Sequence, residues 1–157
     1  ALLFDCDLEY MRLPAANFER AQLKGAHLTG SQMPGACFHK ANLRNTGLAE
    51  IDWDRADLRG ADLTHCTFHL GSSRSGLVGS PIASEGSRTG FYTDEYLEQG
   101  FKSPEEIRKA NLCGADLRGA EIDGVDFYLV DLRNARYTPE QEDHLRRCGA
   151  ILEVRAE

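Results

Sequence analysis

The sequence of 157 residues lacks the signatures of most enzymes and of membrane proteins. It has no long apolar run and no signal-like apolar segment, so nothing in it is expected to span a membrane. It also has no P-loop, no nucleophile elbow and no paired-acid motif. These absences predict a protein that is not an enzyme and that carries no cofactor. Aromatic residues make up only 8% of the chain, which suits an interior filled mainly by aliphatic side chains.

What the sequence does have is a period of five residues. A large apolar residue stands at the centre of each of fourteen consecutive pentapeptides: Leu3, Leu8, Leu13, Phe18, Leu23, Leu28, Met33, Phe38, Leu43, Leu48, Trp53, Leu58, Leu63 and Phe68. The residue two positions before the centre is usually small, most often Ala. A period of five fits neither an α-helix nor a flat strand. Each pentapeptide is therefore predicted to form one side of a coil that stacks on the next.

The segments "ANFER", "ANLRN", "ADLRG" and "ADLTH" resemble the A-(D/N)-L-x-x consensus of the pentapeptide-repeat family. The period returns at Leu112, Leu117, Ile122, Phe127, Leu132 and Tyr137. The resemblance implies an all-β fold, a right-handed quadrilateral β-helix with four pentapeptides per coil and about five coils. Its expected structural core includes Leu23, Phe38, Leu43, Trp53, Leu63, Leu117 and Phe127. This family name describes a shape and does not specify a chemistry.

One side of the coil departs from the pattern. Trp53 is its largest centre residue, and Ile51 occupies the position that should be small. Together they have too much volume for an ideal coil. We expect the coil either to widen there or to turn the indole towards a covering segment, for which the insert described next is the candidate.

The period disappears over residues 71–109. The first half of this insert is rich in Gly and Ser and reads as a loop, while "DEYLEQ" and the segment after Ser103-Pro104 read as short helices. Its apolar residues predict that it folds onto the wall of the solenoid. Aromatic and Arg side chains often anchor interfaces, so the candidate partner-binding residues are Arg74, Arg88, Phe91, Tyr92, Tyr96 and Phe101. The repeated Ser-Arg-Ser/Thr-Gly phrase around the two Arg residues also fits an anion- or peptide-binding site.

A helical cap is predicted for residues 138–157. Thr138 caps a helix that starts at Pro139, Gln141 completes a capping box and Gly149 ends the helix. Such a helix would cover the open β-edge; a homodimer contact through the same surface is compatible with that role. The chain is thus expected to be one domain with repeats at 1–70, an insert at 71–109, repeats at 110–137 and this cap.

The five cysteines are odd in number and show no CxxC spacing. Cys6 and Cys66 lie three coils apart, roughly 14 Å, beyond disulfide reach. Free thiols in a reducing compartment, and hence a cytoplasmic location, are expected. Export stays open because the chain begins in mid-repeat without Met. Two clusters, Cys37 with His39 and Cys66 with its neighbouring His residues, contain ligand types, but the inward position of Cys66 argues against a metal site.

A binding role therefore remains, and we expect a non-enzymatic scaffold or protein–protein interaction module whose partner is unidentified. The resemblance implies one alternative, because some family members are duplex-DNA mimics that bind DNA gyrase. The net charge of −7 fits that alternative. However, residues 1–70 hold nine acids and seven bases, and residues 110–157 hold ten acids and six bases. A mimic needs like charges at phosphate-like spacing, whereas this wall mixes both signs. Direct binding of nucleic acid is not expected.

Overall fold

The computed structural model describes residues 2–68 and 110–152. The predicted insert helices, and the predicted packing of the insert on the wall, fall in residues 69–109 and lie outside the described residues. Within the described ranges no helix is both long and apolar enough to cross a membrane.

Each pentapeptide turns a corner at its end. The last residue of the unit has a positive φ, as in Asp5 (54°) and Arg20 (57°). A tight turn closes across the corner, as where the Ala26 N–H donates to the Leu23 carbonyl oxygen at 2.9 Å. The repeat therefore alternates a short extended piece with a turn, and the chain changes direction at every pentapeptide.

The short pieces stack in parallel. Apart from the unit around Phe127, each described repeat unit has one bridged residue, which pairs with a residue four pentapeptides away in the array. Leu23 N–H, for example, donates to the Asn42 carbonyl oxygen at 2.8 Å, and Asn42 N–H donates to the Ala21 carbonyl oxygen at 2.9 Å. These bridges form four ladders, which define four faces of a β-helix. Face 1 joins Leu2, Gln22, Asn42, Asp62 and Glu121; face 2 joins Asp7, His27, Gly47 and Thr67; face 3 joins Arg12, Gln32, Asp52, Asn111, Asp131 and Ile151; face 4 joins Asn17, Cys37, Asp57, Asp116 and Arg136.

The insertion leaves the stacking register intact. Asp52 pairs with Asn111 on face 3, and Asp62 pairs with Glu121 on face 1. Each of these pairs is separated by the usual four pentapeptides plus the length of the non-repetitive segment 71–109. The chain thus leaves the array after face 2 and re-enters at the start of face 3, as if the insert were absent.

All seven residues expected in the core have fully buried side chains: Leu23, Phe38, Leu43, Trp53, Leu63, Leu117 and Phe127. They point into one continuous interior together with the small residues that precede the centres. Burying a large aliphatic or aromatic side chain stabilises the fold by about 1.5–3 kcal/mol. Because the centres stack directly over one another, this stabilisation is distributed along the axis of the β-helix.

The oversize Trp53 is accommodated by its neighbours within the array. Its ring stacks on Phe38, with centroids 4.3 Å apart and planes 16° from parallel. Phe38 in turn stacks on Phe18 at 5.2 Å. The indole Nε1–H donates to the Ser31 hydroxyl at 2.9 Å, so a small polar residue one coil below supplies both room and an acceptor. The expectation that the indole faces a covering segment is therefore wrong.

The helix α1, Pro139–Cys148, follows the last repeats. Its caps are those that the sequence predicts: Thr138 and Gln141 form the capping box, and Gly149 ends the helix in the left-handed conformation. Leu145 and Cys148 are buried against the end of the array. The chain then rejoins face 3, where Ile151 pairs with Asp131 in the usual register. The helix thus occupies the length of chain that would otherwise form faces 1 and 2.

Candidate functional site

The six residues predicted to bind a partner, Arg74, Arg88, Phe91, Tyr92, Tyr96 and Phe101, all lie outside the described residues. The structure does describe the residues of the array on either side of this segment. Phe68 is buried and its ring lies 4.9 Å from that of Phe127. At the other junction, Asn111 donates its N–H to the Ile51 carbonyl oxygen at 2.8 Å and its side-chain amide to Asp52 at 3.0 Å. Both junctions are therefore held by the array through packing or hydrogen bonds.

The wall of face 4 carries acids that are neutralised by a base two residues later. Asp57 pairs with Arg59 at 2.8 Å and Asp116 pairs with Arg118 at 2.6 Å. Hydrogen bonds from these guanidinium groups hold the pKa of each carboxyl group below its usual value, against the opposing effect of burial. Arg59 also lies 4.0 Å from Asp116 of the next coil. Charge of both signs therefore alternates along this face, and these two acids do not form a bare acidic stripe.

Face 3 beside the insert junction shows the same arrangement. Asp131 pairs with Arg133 at 2.7 Å. Cys113 lies next to this pair, and burial together with the Asp131 carboxylate raises the pKa of its thiol to about 11. Cys113 is thus protonated near neutral pH and is a poor nucleophile.

The predicted metal-ligand types do not form a metal site in the described part of the chain. His39 hydrogen bonds to Glu19 at 3.0 Å across two coils of face 4. Among residues 2–68 and 110–152, no group of three or more His, Cys, Asp or Glu side chains could hold a metal ion. Cys66 points inward and donates to the Leu63 carbonyl oxygen at 2.7 Å. Burial raises the pKa of this thiol, so it behaves as a small core residue. All five cysteines are free.

The two ends of the β-helix differ. At the C-terminal end, α1 presents charged residues that pair with each other, Arg146 with Glu142 at 2.9 Å and Arg147 with Asp143 at 3.4 Å. At the N-terminal end, large apolar side chains are exposed: Leu2 by 76%, Phe4 by 52%, Tyr10 by 65% and Met11 by 43%. These are the exposed large apolar residues of the described part of the chain.

The sequence interpretation did not single out this N-terminal group as a surface. A signal was present, because Leu2 and Phe4 occupy the two outward positions on either side of the centre Leu3, where later units of face 1 have polar residues. Met11 likewise stands where most units have a small residue.

Comparison with known proteins shows the family of this chain. A model of pentapeptide repeats, in eight copies, matches residues 1–39, 36–70 and 107–135. No curated protein matches the chain. Similar solved structures include a pentapeptide repeat protein from the Arabidopsis thaliana thylakoid lumen (20% identity, 93% of this chain, 74% of that chain, TM-score 0.48).

A second is HetL, a pentapeptide repeat protein involved in heterocyst differentiation regulation from the cyanobacterium Nostoc sp. strain PCC 7120 (18% identity, 98% of this chain, 61% of that chain, TM-score 0.42). A third is QnrB1, a plasmid-mediated fluoroquinolone resistance protein (14% identity, 96% of this chain, 91% of that chain, TM-score 0.36). Since the repeat model alone matches more than half of the sequence, the chain belongs to the pentapeptide-repeat family.

Proposed function

We propose that this protein is a non-enzymatic protein–protein interaction module, in which the repeat array is a scaffold that presents the 71–109 insert to a protein partner. The observation that carries the proposal is the unbroken register across the insertion, seen in the pairing of Asp52 with Asn111. Because the insert leaves the stacking of the coils unchanged, it adds a surface without weakening the packing of the array. Its location between two faces also ties both of its ends to a well-packed wall.

The scaffold in this proposal is a right-handed quadrilateral β-helix of about five coils that forms a single domain over residues 1–157. Four ladders, each joining every fourth pentapeptide, support four sides per coil, and family membership supports the handedness. The odd number of cysteines, all free, supports a reducing compartment such as the cytoplasm. Export remains the alternative that the sequence leaves open.

The charges of the wall favour the insert over the wall as the binding surface. On faces 3 and 4 the pairs Asp57–Arg59, Asp116–Arg118 and Asp131–Arg133 satisfy each other. Exposed pairs of this kind contribute little to affinity. The insert, by contrast, contains four aromatic residues and three Arg residues, including the candidates Arg74 and Arg88, and these residue types often anchor interfaces.

The experiment is a pull-down that compares the intact chain with a variant whose residues 71–109 are replaced by a short turn. The register predicts that this variant folds, which a thermal melt checks. We expect the partner to be lost with the insert. The double substitution Arg74→Ala and Arg88→Ala should weaken binding without lowering the melting temperature. The matched wall variant, Arg44→Ala with Arg59→Ala, should change neither the binding nor the melting temperature much. Loss of binding in this variant alone would assign the function to the wall.

The second candidate is a DNA mimic that acts on DNA gyrase or another topoisomerase, favoured by the net charge of −7 and by membership of a family that includes such mimics. A supercoiling assay with gyrase separates it from the first, because only a mimic changes the supercoiling yield. A third candidate, an anion- or peptide-binding insert, predicts that the Arg74 and Arg88 variants lose binding of a phosphate or an acidic peptide. A homodimer through the C-terminal cap remains a prediction of the sequence.

A further inference from the structure

Face 1 separates its charges along the axis of the β-helix. Its outward side chains form two columns, the bridged residues and the residues that follow the centres. Counted from the first described coil, Lys24 and Arg44 stand on coils two and three, whereas Asp62, Glu121 and Asp123 stand on coils four and five. Face 1 is therefore basic in one half of the array and acidic in the other.

The charges farthest from the middle of this face are not neutralised. Lys24, Glu121 and Asp123 are exposed, and none of them forms an ion pair with another described residue. Arg44 and Asp62, which lie nearer the middle, pair with each other at 3.3 Å. Lys24 is three coils from Asp123, roughly 14 Å along the axis, which is too far for these two side chains to meet within one chain. Face 1 thus presents one base and two acids to solvent.

The spacing of these side chains favours another β-helix as the partner. The outward residues of face 1 repeat once per coil, about every 4.8 Å, because each coil pairs with the next as in a parallel sheet. Side chains on one side of an extended peptide repeat at about 6.7 Å, so they do not stand opposite successive coils. A second stacked face has the same repeat as the first. A second copy of this chain supplies such a face, with charges of both signs in place.

Two such faces are complementary when the β-helices run antiparallel. A two-fold axis that lies in the contact plane, at right angles to both β-helices and between coils three and four, sets coil two of one copy against coil five of the other. Lys24 then lies opposite Asp123 and Gln22 opposite Glu121, and each contact occurs twice. Parallel β-helices would instead set Glu121 against Asp123. An axis through coil three would set Arg44 against Arg44.

We propose that two copies of this protein associate side by side and antiparallel through face 1, with Lys24 of each copy paired with Asp123 of the other. The contact is isologous and mainly polar. Because a polar contact along one face is small, the dimer is weak and dissociates as the salt concentration rises. The chain leaves the array after face 2 and re-enters at face 3, so the contact uses neither junction of the insert.

Sedimentation velocity on the full chain, from about 10 to 500 µM at low salt, tests the association. We expect a concentration-dependent dimer, whose Kd rises several-fold when the salt concentration is raised from about 50 to about 500 mM. A chain that stays monomeric over this concentration range at low salt overturns the proposal.

An exchange of charges tests the arrangement of the two copies. Lys24→Glu should raise the dimer Kd at least about tenfold, because it sets like charges opposite each other at two places, and Asp123→Lys should do the same. Both substitutions together in one chain should restore the dimer, because the opposite charges have then changed places. An equimolar mixture of the two single variants should form a heterodimer for the same reason. A doubly substituted chain that stays monomeric overturns the arrangement.

Arg12→Glu is the matched control, since Arg12 is an exposed residue of face 3 and its substitution changes the net charge as much as Lys24→Glu does. It should leave the dimer intact, and an equal loss of dimer in this control overturns the proposal. Thermal melts identify any variant that fails to fold. In that case Lys24→Gln and Asp123→Asn, which keep the size of each side chain, should still weaken the dimer. A dimer that resists every face 1 variant but is lost in Arg146→Glu with Arg147→Glu belongs to the C-terminal cap, and the proposal is then wrong.

Discussion

Gln141 donates a side-chain amide hydrogen to the Ala120 carbonyl oxygen at 3.2 Å, and thereby takes the place of a missing strand. In the preceding coils, the corresponding oxygens accept a backbone N–H from the ladder above. The Ala61 carbonyl, for example, accepts from Glu121 N–H at 2.8 Å. By the register of four pentapeptides per coil, the next donor after Glu121 would be the backbone of residue 141. The chain has become helical there, and the side chain of the same residue makes the bond instead.

The same side chain also closes the start of the helix. Its Oε1 accepts the Thr138 N–H at 2.9 Å, and its Nε2 donates a further bond to the Leu117 carbonyl oxygen at 2.6 Å. Gln141 therefore satisfies the helix N-terminus and the β-edge together, which couples the formation of α1 to the completion of the array.

Replacing Gln141 by Ala should lower the free energy of unfolding by about 2–4 kcal/mol. The Ala120 carbonyl oxygen loses the amide donor, the Leu117 carbonyl oxygen keeps only the Ala120 N–H, and the capping box is lost. Gln141→Glu keeps an acceptor for Thr138 but removes the amide donor, so it should be destabilising as well. Urea denaturation measures both. Glu140→Ala, an exposed residue of the same helical turn, is the control and should cost less than about 1 kcal/mol. A Gln141→Glu protein as stable as the wild type would show that the edge contact contributes nothing.

The two roles of Gln141 differ in how far the sequence predicts them. The capping box is local, since Thr138, Pro139 and Gln141 are close neighbours in sequence, and it was predicted and is confirmed. The bond to Ala120 depends on the stacking register between one coil and the next. It also requires that α1 begins at the right position relative to the last coil. Neither is encoded in a short pattern, so only the structure reveals this contact.

The fit of Trp53 depends on a second long-range contact, its hydrogen bond to Ser31. Ser31→Ala should lower the free energy of unfolding by about 1–3 kcal/mol, because a buried indole N–H is left without an acceptor. It should also shift the emission of Trp53, the one tryptophan in the chain. Thr46→Ala is a suitable control for the emission, since Thr46 is also buried and donates to the Leu43 carbonyl oxygen instead of to the indole. An unchanged emission in Ser31→Ala would contradict the assignment.

Position 30 needs a glycine mainly because the Tyr10 ring of the coil below leaves no room for a side chain, and less because of the backbone angle. Its φ is 70°, but Tyr10 and Glu50, which occupy the same corner of adjacent coils, adopt φ of 60° and 57° with full side chains. A Cβ on Gly30 would collide with the Tyr10 ring. We expect Gly30→Ala to cost about 1–3 kcal/mol, and to cost less by about 1 kcal/mol or more in a Tyr10→Ala background. Additive effects in this double-mutant cycle, measured by urea denaturation, would show that the ring is not the obstacle.

The period of five predicts the interior well and the surface poorly. Leu43 and Phe127 each stand at the centre of a pentapeptide, the position that the period places in the interior, and both are fully buried. Phe4 and Tyr10, by contrast, lie at outward positions of the first described coil, and both are exposed. The period assigns every outward residue the same place in its unit, so it does not predict how exposed each of these side chains is.

The pairing of Asp116 with Arg118 should make stability depend on pH. The guanidinium hydrogen bond lowers the pKa of the Asp116 carboxyl group in the folded protein, whereas the unfolded chain has the ordinary value of about 3.9. A lowered folded pKa contributes stability above the unfolded value, and this contribution is lost as the pH falls through the folded value. We therefore expect the urea midpoint of the wild type to decrease as the pH is lowered from about 5 to about 2.

Two variants test this assignment. Asp116→Asn keeps an oxygen acceptor for the Arg118 N–H but has no proton to gain, so its midpoint should decrease less steeply. Arg118→Ala should flatten the profile in the same way, because it removes the largest cause of the shift. Equal slopes in all three proteins would show that this ion pair does not contribute to the acid sensitivity of the fold.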